Sequence, residues 1–264
     1  DIVDSFKKSI LNLRCFYDET PGLHTGRHIG LKEAQADILV FADDDIEAFP
    51  TWLEGIWESF QDNSVMLVGG KNLPLFESPP PFWIWAEWNV PNDLGKVYSW
   101  LSILDFGNEI MEIDPVYVFG CNFSIRKEIL IQTGGFHPDS MPQDLIRFRG
   151  DGETYVSNYM KEKQLKAIYN PKASVHHKVP EDRMTHDYIL KRVFNQGISD
   201  SFSDLRKGKS ITRRKINKLV KAIRILSGFE LYKMMGKLIK DQNKTNFQKE
   251  LDNCYWAGYS YHQH

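Results

Sequence analysis

The sequence predicts an α/β fold in which a mixed, mostly parallel sheet is flanked by helices. Two short apolar runs, Ile38–Ala42 and Val65–Val68, have the length of buried strands. A helical segment over Thr51–Phe60 separates them, and Pro50 before it suits the first position of a helix. Because strands and helices alternate in this way in α/β proteins, the pattern favours this fold class.

The composition is typical of a soluble globular protein. Hydrophobic residues make up 42% of the 264 residues, yet no apolar run approaches the roughly eighteen residues that a membrane span needs. The three cysteines, Cys15, Cys121 and Cys254, are widely spaced and form no Cys-x-x-Cys pair. This spacing indicates neither a disulfide framework nor a zinc cluster, so we expect a reducing, cytoplasmic setting.

The C-terminal part of the chain is strongly basic, although the net charge of the whole chain is only -2. Fourteen Lys or Arg stand against three acidic residues between Asp204 and Lys249. We therefore predict a main domain over residues 1–199 and a basic helical extension over residues 200–264. Lysines on the outer helix faces would hold the protein at the anionic inner face of a membrane; a solvated helical face is the alternative.

Three consecutive carboxylates, Asp43, Asp44 and Asp45, follow the first predicted strand. Like charges this close raise one another's pKa, so such a cluster needs a neutralising partner. Mg²⁺ and Mn²⁺ prefer hard oxygen ligands, and open α/β sheets bind ligands at the carboxyl ends of their strands. The cluster therefore predicts a metal site, with a solvated acidic turn that caps the next helix as the alternative.

Several motifs occur in a fixed order between residues 22 and 197. They are Gly26-Arg27-His28-x-Gly30, Ala36–Asp45, Gly69-Gly70, Gly120–Lys127, Gly134-Gly135-Phe136, Gly150–Glu153 and Pro171-x-Ala173-x-x-x-His177. Together they resemble the family 2 glycosyltransferases, whose GT-A fold is a Rossmann-like mixed sheet flanked by helices. The resemblance covers about two thirds of the chain and rests on the ordered set, because each motif alone is weak.

The resemblance implies a nucleotide site around the acidic cluster. Asp43-Asp44-Asp45 looks like the family's DxD motif, so Asp45 would bind an Mn²⁺ or Mg²⁺ ion that holds the donor diphosphate. Asp43 or Asp44 would then lie near the ribose. Arg27 stands where the family places a basic residue close to the nucleotide, and the next position is His28, where the family usually has Asn.

Inverting sugar transfer needs a carboxylate that takes the proton of the acceptor hydroxyl. The family's base lies in an acidic pair at the start of a helix, and this chain reads Gly150-Asp151-Gly152-Glu153 there. Counting back from Pro171 puts Glu153 on the usual position, with Asp151 two residues away. Either residue is a candidate base, and both would also suit a helix cap.

Two further residues are candidates for contact with the donor diphosphate. His177 matches a histidine that follows the last core strand in many family members, and its imidazole would complete the metal shell or contact the diphosphate. Arg192 would neutralise the leaving diphosphate through its bidentate fork. A structural histidine and a surface arginine remain the alternatives. The Gln-x-x-Arg-Trp signature of processive members does not occur, so we expect a single-addition enzyme.

The segment between Pro74 and Trp100 is rich in proline and tryptophan, and we expect a long, partly irregular excursion there. Trp83 and Trp85, together with Trp88 and Trp100, are candidate acceptor-binding residues, because flat indole faces stack on the apolar faces of sugars. A small core of the excursion's own is the alternative reading, since tryptophans bury much area.

The expected function is transfer of a sugar from a nucleotide-diphosphate sugar, with a UDP-sugar as the first choice of donor. The acceptor would be a saccharide or a lipid-linked sugar, and no nucleic acid partner is indicated. A catalytically silent carbohydrate- or nucleotide-binding protein of the same fold is the alternative. The strands with which the family pattern normally begins do not precede Asp1, so we expect them to be absent.

Overall fold

The computed structural model describes residues 2–90, 93–208 and 246–263, which form two sheets and the helices that cover them. The strands are β1 (Ile38–Ala42), β2 (Ile46–Ala48), β3 (Val65–Gly69), β4 (Asn72–Phe76), β5 (Lys96–Tyr98), β6 (Ile103–Asp105), β7 (Met111–Glu112), β8 (Asn122–Arg126), β9 (Lys166–Tyr169) and β10 (Val175–Val179). The α-helices are α1 (Ile2–Phe6), α2 (Leu23–Glu33), α3 (Trp52–Ser59), α4 (Phe82–Trp88), α5 (Lys127–Thr133), α6 (Gly152–Glu162), α7 (His186–Arg206) and α8 (Asn246–Gln263). The predicted mixed α/β class is confirmed.

Both sheets have five strands, in the order β1-β8-β3-β9-β7 in the first sheet and β2-β10-β4-β6-β5 in the second. Among the described strands only β3 with β9 and β4 with β10 run parallel, and the other neighbours are antiparallel. The sequence predicted a mostly parallel sheet. An apolar run indicates that a strand is buried on both faces, but it does not fix the direction of its neighbours.

The chain passes from the first sheet to the second at three places: between β1 and β2, between β3 and β4, and between β9 and β10. The first of these crossings is the acidic cluster, and β2 follows it directly in the chain. Strand β10, which carries His177, pairs with β2. The seam between the two sheets therefore brings together residues that are more than a hundred positions apart in the sequence.

Two hydrophobic clusters support this seam. One packs the first sheet against α5 and α6 and includes the fully buried Phe123, Leu130 and Met160. The other packs the second sheet against α4, α7 and α8 and includes the buried Ile84 and Ile189. The helices thus fix the strand ends from opposite sides, which holds the loops between the sheets in place.

Residues 74–100 combine irregular loops with the end of β4, helix α4 and strand β5, as expected for a partly irregular excursion. Its aromatic residues pack into the second cluster instead of forming a core of their own. In the structure α1 has no buried residue, and Ile2 and Phe6 are exposed.

Helix α7 runs through the predicted domain boundary at residues 199 and 200 without interruption, and α8 packs along it. Their contact is close because both helices carry glycine there. A Cβ at Gly197 would lie 2.1 Å from the carbonyl oxygen of Tyr255, and one at Gly258 would lie 2.0 Å from that of Phe194. None of the helices in the described ranges is long and apolar enough to cross a bilayer.

Six basic residues predicted to face a membrane lie outside the described residues, so the structure gives no account of them. They are Lys218, Lys221, Arg224, Lys233, Lys237 and Lys240.

Replacing Gly258 by alanine should destabilise the protein by about 1–3 kcal/mol, because the added methyl group forces α7 and α8 apart. Urea unfolding measures the change. The matched control is Gly30→Ala in α2, where no atom lies within 4 Å of the added methyl group. There the higher helix propensity of alanine should raise stability by up to about 1 kcal/mol. Equal effects of the two substitutions would show that the helix contact is looser than described.

Candidate functional site

A cavity of about 460 Å³ opens at the seam between the two sheets. Its walls come from the loop after β1, the turn before β8, the start of α6, strand β10 and one face of α7. Of the residues predicted for the site, the cavity brings together Arg27, Asp43, Asp45, Asp151, Glu153, His177 and Arg192. Polar groups from distant segments thus converge in one concave space, which is the usual form of a ligand site.

The guanidinium of Arg27 lies at the base of this cavity and is only 7% exposed. Its Nη1 is 3.3 Å from Oε2 of Glu153, and its Nη2 is 3.5 Å from Oδ1 of Asp43. Nη2 also donates a hydrogen bond of 3.2 Å to the carbonyl oxygen of Gly120, and the group lies over the ring of Phe136. Because a buried charge needs partners, Arg27 and the two carboxylates neutralise one another.

The glycine at position 120 is required by this contact. A Cβ there would lie 2.6 Å from Nη2 of Arg27 and 2.9 Å from Oε1 of Glu153. The backbone N–H of Gly120 donates to the same Oε1 over 3.3 Å. Any side chain at this position would therefore displace the Arg27–Glu153 pair.

The three carboxylates after β1 differ in their surroundings. Burial raises the pKa of Asp43; the Arg27 guanidinium opposes this rise and the carboxylate of Asp45 adds to it. Asp45 also lines the cavity, whereas Asp44 is exposed and lies outside the lining. The turn thus directs the first and third carboxylates inward and the second outward.

Asp45 has two different oxygen environments. Its Oδ2 accepts a hydrogen bond of 2.9 Å from Nη1 of Arg183. Its Oδ1 is buried without a hydrogen-bond partner and lies 3.5 Å from Nε2 of His177. Burial lowers the pKa of His177, and the positive charge of Arg183 acts in the same direction, while the carboxylate of Asp45 opposes it. The imidazole is therefore held towards its neutral form, which is the form that binds a metal ion.

An unpaired carboxylate oxygen beside a neutral imidazole is a donor set that fits one divalent cation. Mg²⁺ and Mn²⁺ commonly take one or two protein ligands and complete their shell with water and substrate phosphates. Within the described parts of the chain, no group of three or more His, Cys, Asp or Glu side chains is placed to hold a metal ion. The site thus fits a cation that a phosphate ligand shares.

The two candidate bases at the start of α6 have unlike environments. Asp151 has a side chain that is only 6% exposed, and both of its oxygens are engaged, one by Nδ1 of His137 and the other by the hydroxyl of Ser203. Its side chain makes no capping bond to α6. Glu153 is 26% exposed and lies in the cavity beside Arg27. Of the two, Glu153 has the more accessible carboxylate.

One face of α7 forms the far wall of the cavity. Tyr188, Arg192 and Gln196 are spaced four residues apart, so they lie on the same side of the helix and line the cavity together. Arg192 makes no ion pair with a carboxylate of the described residues, unlike Arg27 and Arg183. The four-residue spacing was visible in the sequence and is the signal that would have identified the other two.

Three of the four tryptophans predicted for acceptor binding do not line this cavity. Trp83 packs against His186 and Phe247, with ring centroids 4.6 Å and 6.2 Å away, and Trp85 is about half exposed on α4. The fourth, Trp100, lines the cavity. His28, which stands at the family's Asn position, accepts a hydrogen bond from the backbone N–H of Phe136.

Comparison with known proteins gives one family match and one relative. The sequence model of glycosyl transferase family 2 matches residues 1–134, about half of the chain. A glucosyl-dolichyl phosphate glucuronosyltransferase of Haloferax volcanii is 26% identical over 192 residues. That alignment covers 71% of this chain and 58% of the relative, so the chain spans less than two thirds of the relative's length.

Two solved structures are similar in part. The mannosyltransferase PcManGT from Pyrobaculum calidifontis, in complex with GDP-Man and Mn²⁺, is 14% identical with a TM-score of 0.47, over 93% of this chain and 67% of that one. GalNAc-T7 with UDP, GalNAc and Mn²⁺ is 16% identical with a TM-score of 0.43, over 67% of this chain and 35% of that one.

Replacing Arg27 by methionine should lower the free energy of unfolding by about 2–4 kcal/mol, because it leaves two partly buried carboxylates without a countercharge. The loss should shrink as the pH falls, since burial raises the pKa of Asp43 and a protonated Asp43 needs no partner. Urea unfolding at several pH values measures both effects. The control is Arg14→Met, which removes the more exposed pair with Glu33 and should cost about 0–1 kcal/mol. Equal losses in the two variants would contradict a central role for Arg27.

Proposed function

Because the chain belongs to glycosyl transferase family 2, we propose that it transfers a sugar from a nucleotide-diphosphate sugar to an acceptor hydroxyl. The transfer inverts the configuration at the anomeric carbon and uses a divalent cation, Mn²⁺ or Mg²⁺. A single observation carries the proposal: Arg27 contacts both Asp43, on the donor side, and Glu153, the accessible carboxylate. Donor and base groups therefore lie within reach of one side chain.

Asp45 and His177 are the residues proposed to hold the cation. The orphaned Oδ1 of Asp45 and the neutral imidazole supply two ligands. When bound, the cation offsets the negative charge of the donor diphosphate, which lets the diphosphate leave. Asp43 is the proposed contact to the ribose, in preference to the exposed Asp44.

Arg192 is the proposed partner of the leaving diphosphate. It lines the cavity and is not neutralised by a carboxylate of the described residues, so its guanidinium can pair with phosphate oxygens. Its position on the long helix α7 gives it a fixed support. The negative charge that develops on the leaving diphosphate would thus be stabilised by the positive charge of Arg192, which is already in position.

Glu153 is the proposed general base. The acceptor hydroxyl attacks the anomeric carbon as the bond from that carbon to the diphosphate oxygen breaks, and the hydroxyl proton passes to the Glu153 carboxylate. The pair with Arg27 holds this carboxylate in place in the cavity before the reaction. Asp151 is a poorer base, since His137 and Ser203 occupy both of its oxygens. We assign to Asp151 the role of tying the start of α6 to His137 and to Ser203 of α7.

The acceptor side of the cavity is proposed to lie between Trp100 and the α7 face of Tyr188, Arg192 and Gln196. An indole and a phenol offer flat surfaces for a sugar ring, and the amide of Gln196 offers hydrogen bonds to its hydroxyls. The name of the Haloferax volcanii relative refers to a glucosyl-dolichyl phosphate acceptor. We therefore propose a lipid-linked saccharide as the acceptor and contact with an anionic membrane through the basic C-terminal segment.

Replacing Glu153 by glutamine should lower the transfer rate by about a hundredfold or more while donor affinity stays close to that of the parent, because the amide cannot take the proton but can still accept a hydrogen bond from Arg27. Radiolabelled sugar transfer to a lipid-linked acceptor, with Mn²⁺ supplied, measures the rate. Asp151→Asn is the matched control; we expect it to lower thermal stability more than the rate per folded molecule. A parent rate in Glu153→Gln would exclude this base.

A further arm tests donor binding. Asp45→Asn should abolish the Mn²⁺-dependent part of nucleoside diphosphate affinity, measured by calorimetry with UDP and with GDP, without loss of the fold. A parent protein that binds the donor with Mn²⁺ supplied yet transfers no sugar would support the silent, binding-only alternative.

The basic segment should bind vesicles that contain anionic lipid and not neutral ones. Each charge near such a surface contributes on the order of 1 kcal/mol, and salt weakens the attraction because it shortens the screening length. Cosedimentation at low and high salt measures the effect. Changing Lys218, Lys221, Arg224, Lys233, Lys237 and Lys240 to Gln should reduce it. Equal binding to both vesicle types, or to neither at low salt, would contradict membrane contact.

A further inference from the structure

Arg183 is a charged cavity residue to which the proposed transfer assigns no role. It lies in the single 3₁₀ turn Glu181–Met184 that follows β10, and its side chain is 33% exposed towards the cavity. Its Nη1 is 2.9 Å from Oδ2 of Asp45. The other oxygen of that carboxylate has no hydrogen-bond partner and faces His177. Arg183 therefore already binds one of the two oxygens of the carboxylate that is proposed to bind the cation.

This pairing weakens the attraction between Asp45 and a cation. A guanidinium supplies the charge that a carboxylate would otherwise seek from a metal ion. Its own positive charge also repels a divalent cation at Oδ1, a few ångströms away. In the donor-free protein the cation would thus meet a carboxylate that is already neutralised, with only His177 as a second ligand.

A diphosphate changes this balance. Arginine binds phosphate oxygens through two parallel hydrogen bonds, which a single N–H contact to Asp45 does not provide. The side chain of Arg183 is partly exposed and lines the same cavity as Arg192, so a diphosphate beside Arg192 lies on its open side. The short turn that carries Arg183 is followed directly by α7, and the hydroxyl of Thr185 caps that helix.

We propose that Arg183 couples cation binding to donor binding. This inference rests on the proposed transfer function. In the donor-free protein Arg183 pairs with Asp45 and disfavours the cation; a nucleoside diphosphate takes over the guanidinium and releases the carboxylate to the metal ion. Arg183 is thus a positioning residue that makes the donor and the cation bind together.

The coupling has a thermodynamic consequence. If the diphosphate raises the affinity for the cation, the cation raises the affinity for the diphosphate by the same factor. An ion pair of this exposure is expected to contribute a factor of roughly three to ten. The opposite role, in which Arg183 only orients Asp45 for the metal, predicts that its removal weakens cation binding.

The test measures Mn²⁺ affinity of the folded protein by electron paramagnetic resonance, with and without UDP or GDP. Arg183→Gln keeps a hydrogen-bond donor but removes the charge, so it should bind Mn²⁺ alone roughly three- to tenfold more tightly than the parent. Its gain in Mn²⁺ affinity on adding nucleoside diphosphate should fall by the same factor. Arg183→Lys keeps the charge and should stay close to the parent.

Arg192→Gln is the matched control in the donor-free arm, because it removes the same charge from the same cavity without touching Asp45. It should change Mn²⁺ affinity less than Arg183→Gln does. Thermal melts confirm that each variant is folded, and Asp45→Asn gives the background of Mn²⁺ bound elsewhere.

Unchanged or weaker Mn²⁺ binding by Arg183→Gln, with coupling intact, overturns the inference and leaves the transfer function standing. An absence of any Mn²⁺ effect on nucleoside diphosphate binding in the parent protein overturns the proposed metal-assisted function itself. The two failures are therefore distinguishable in one set of titrations.

Discussion

The buried guanidinium of Arg27 is the contact on which the site depends. It joins helix α2 to the loop after β1, to the backbone at Gly120 and to the start of α6. Without this guanidinium, the carboxylates of Asp43 and Glu153 would be partly buried with no positive charge beside them. Charge pairing therefore shapes the cavity as much as packing does. Position 120 must be glycine because the guanidinium leaves no room for a side chain there.

The sequence predicted those features that strand ends determine. If the strands share a seam, the residues at their ends lie close together. The acidic cluster, the Gly-Cys-Asn turn and the histidine on a later strand are such residues, and Asp45 and His177 are indeed in contact. The sequence did not predict the direction of neighbouring strands, nor which side chains face the cavity. Antiparallel neighbours satisfy the same apolar pattern, and nothing local distinguishes Trp100, in the cavity, from Trp83, which packs on Phe247. Arg183 was missed because an ion pair with a residue 138 positions away leaves no local pattern.

Helix α7 combines two tasks that the sequence had separated. One face lines the cavity with Tyr188, Arg192 and Gln196, and another holds α8 through the close approach at Gly197 and Gly258. The predicted division between a catalytic domain and a C-terminal extension therefore falls inside an element that serves both. A change in how the C-terminal segment packs would be felt at the wall of the cavity, since one rigid helix carries both surfaces.

The contacts that close the cavity span long stretches of chain: 126 residues separate Arg27 from Glu153, and 93 separate it from Gly120. Closing such loops costs entropy before the contacts compensate for it, so contacts of this separation belong to the late part of folding. During synthesis, the pocket has all its walls only after the residues of α7 have emerged. Ligand binding is for this reason a readout of completed folding. A chain that ends before α7 contains all residues of the first hydrophobic cluster, but it lacks part of the second cluster and one wall of the pocket.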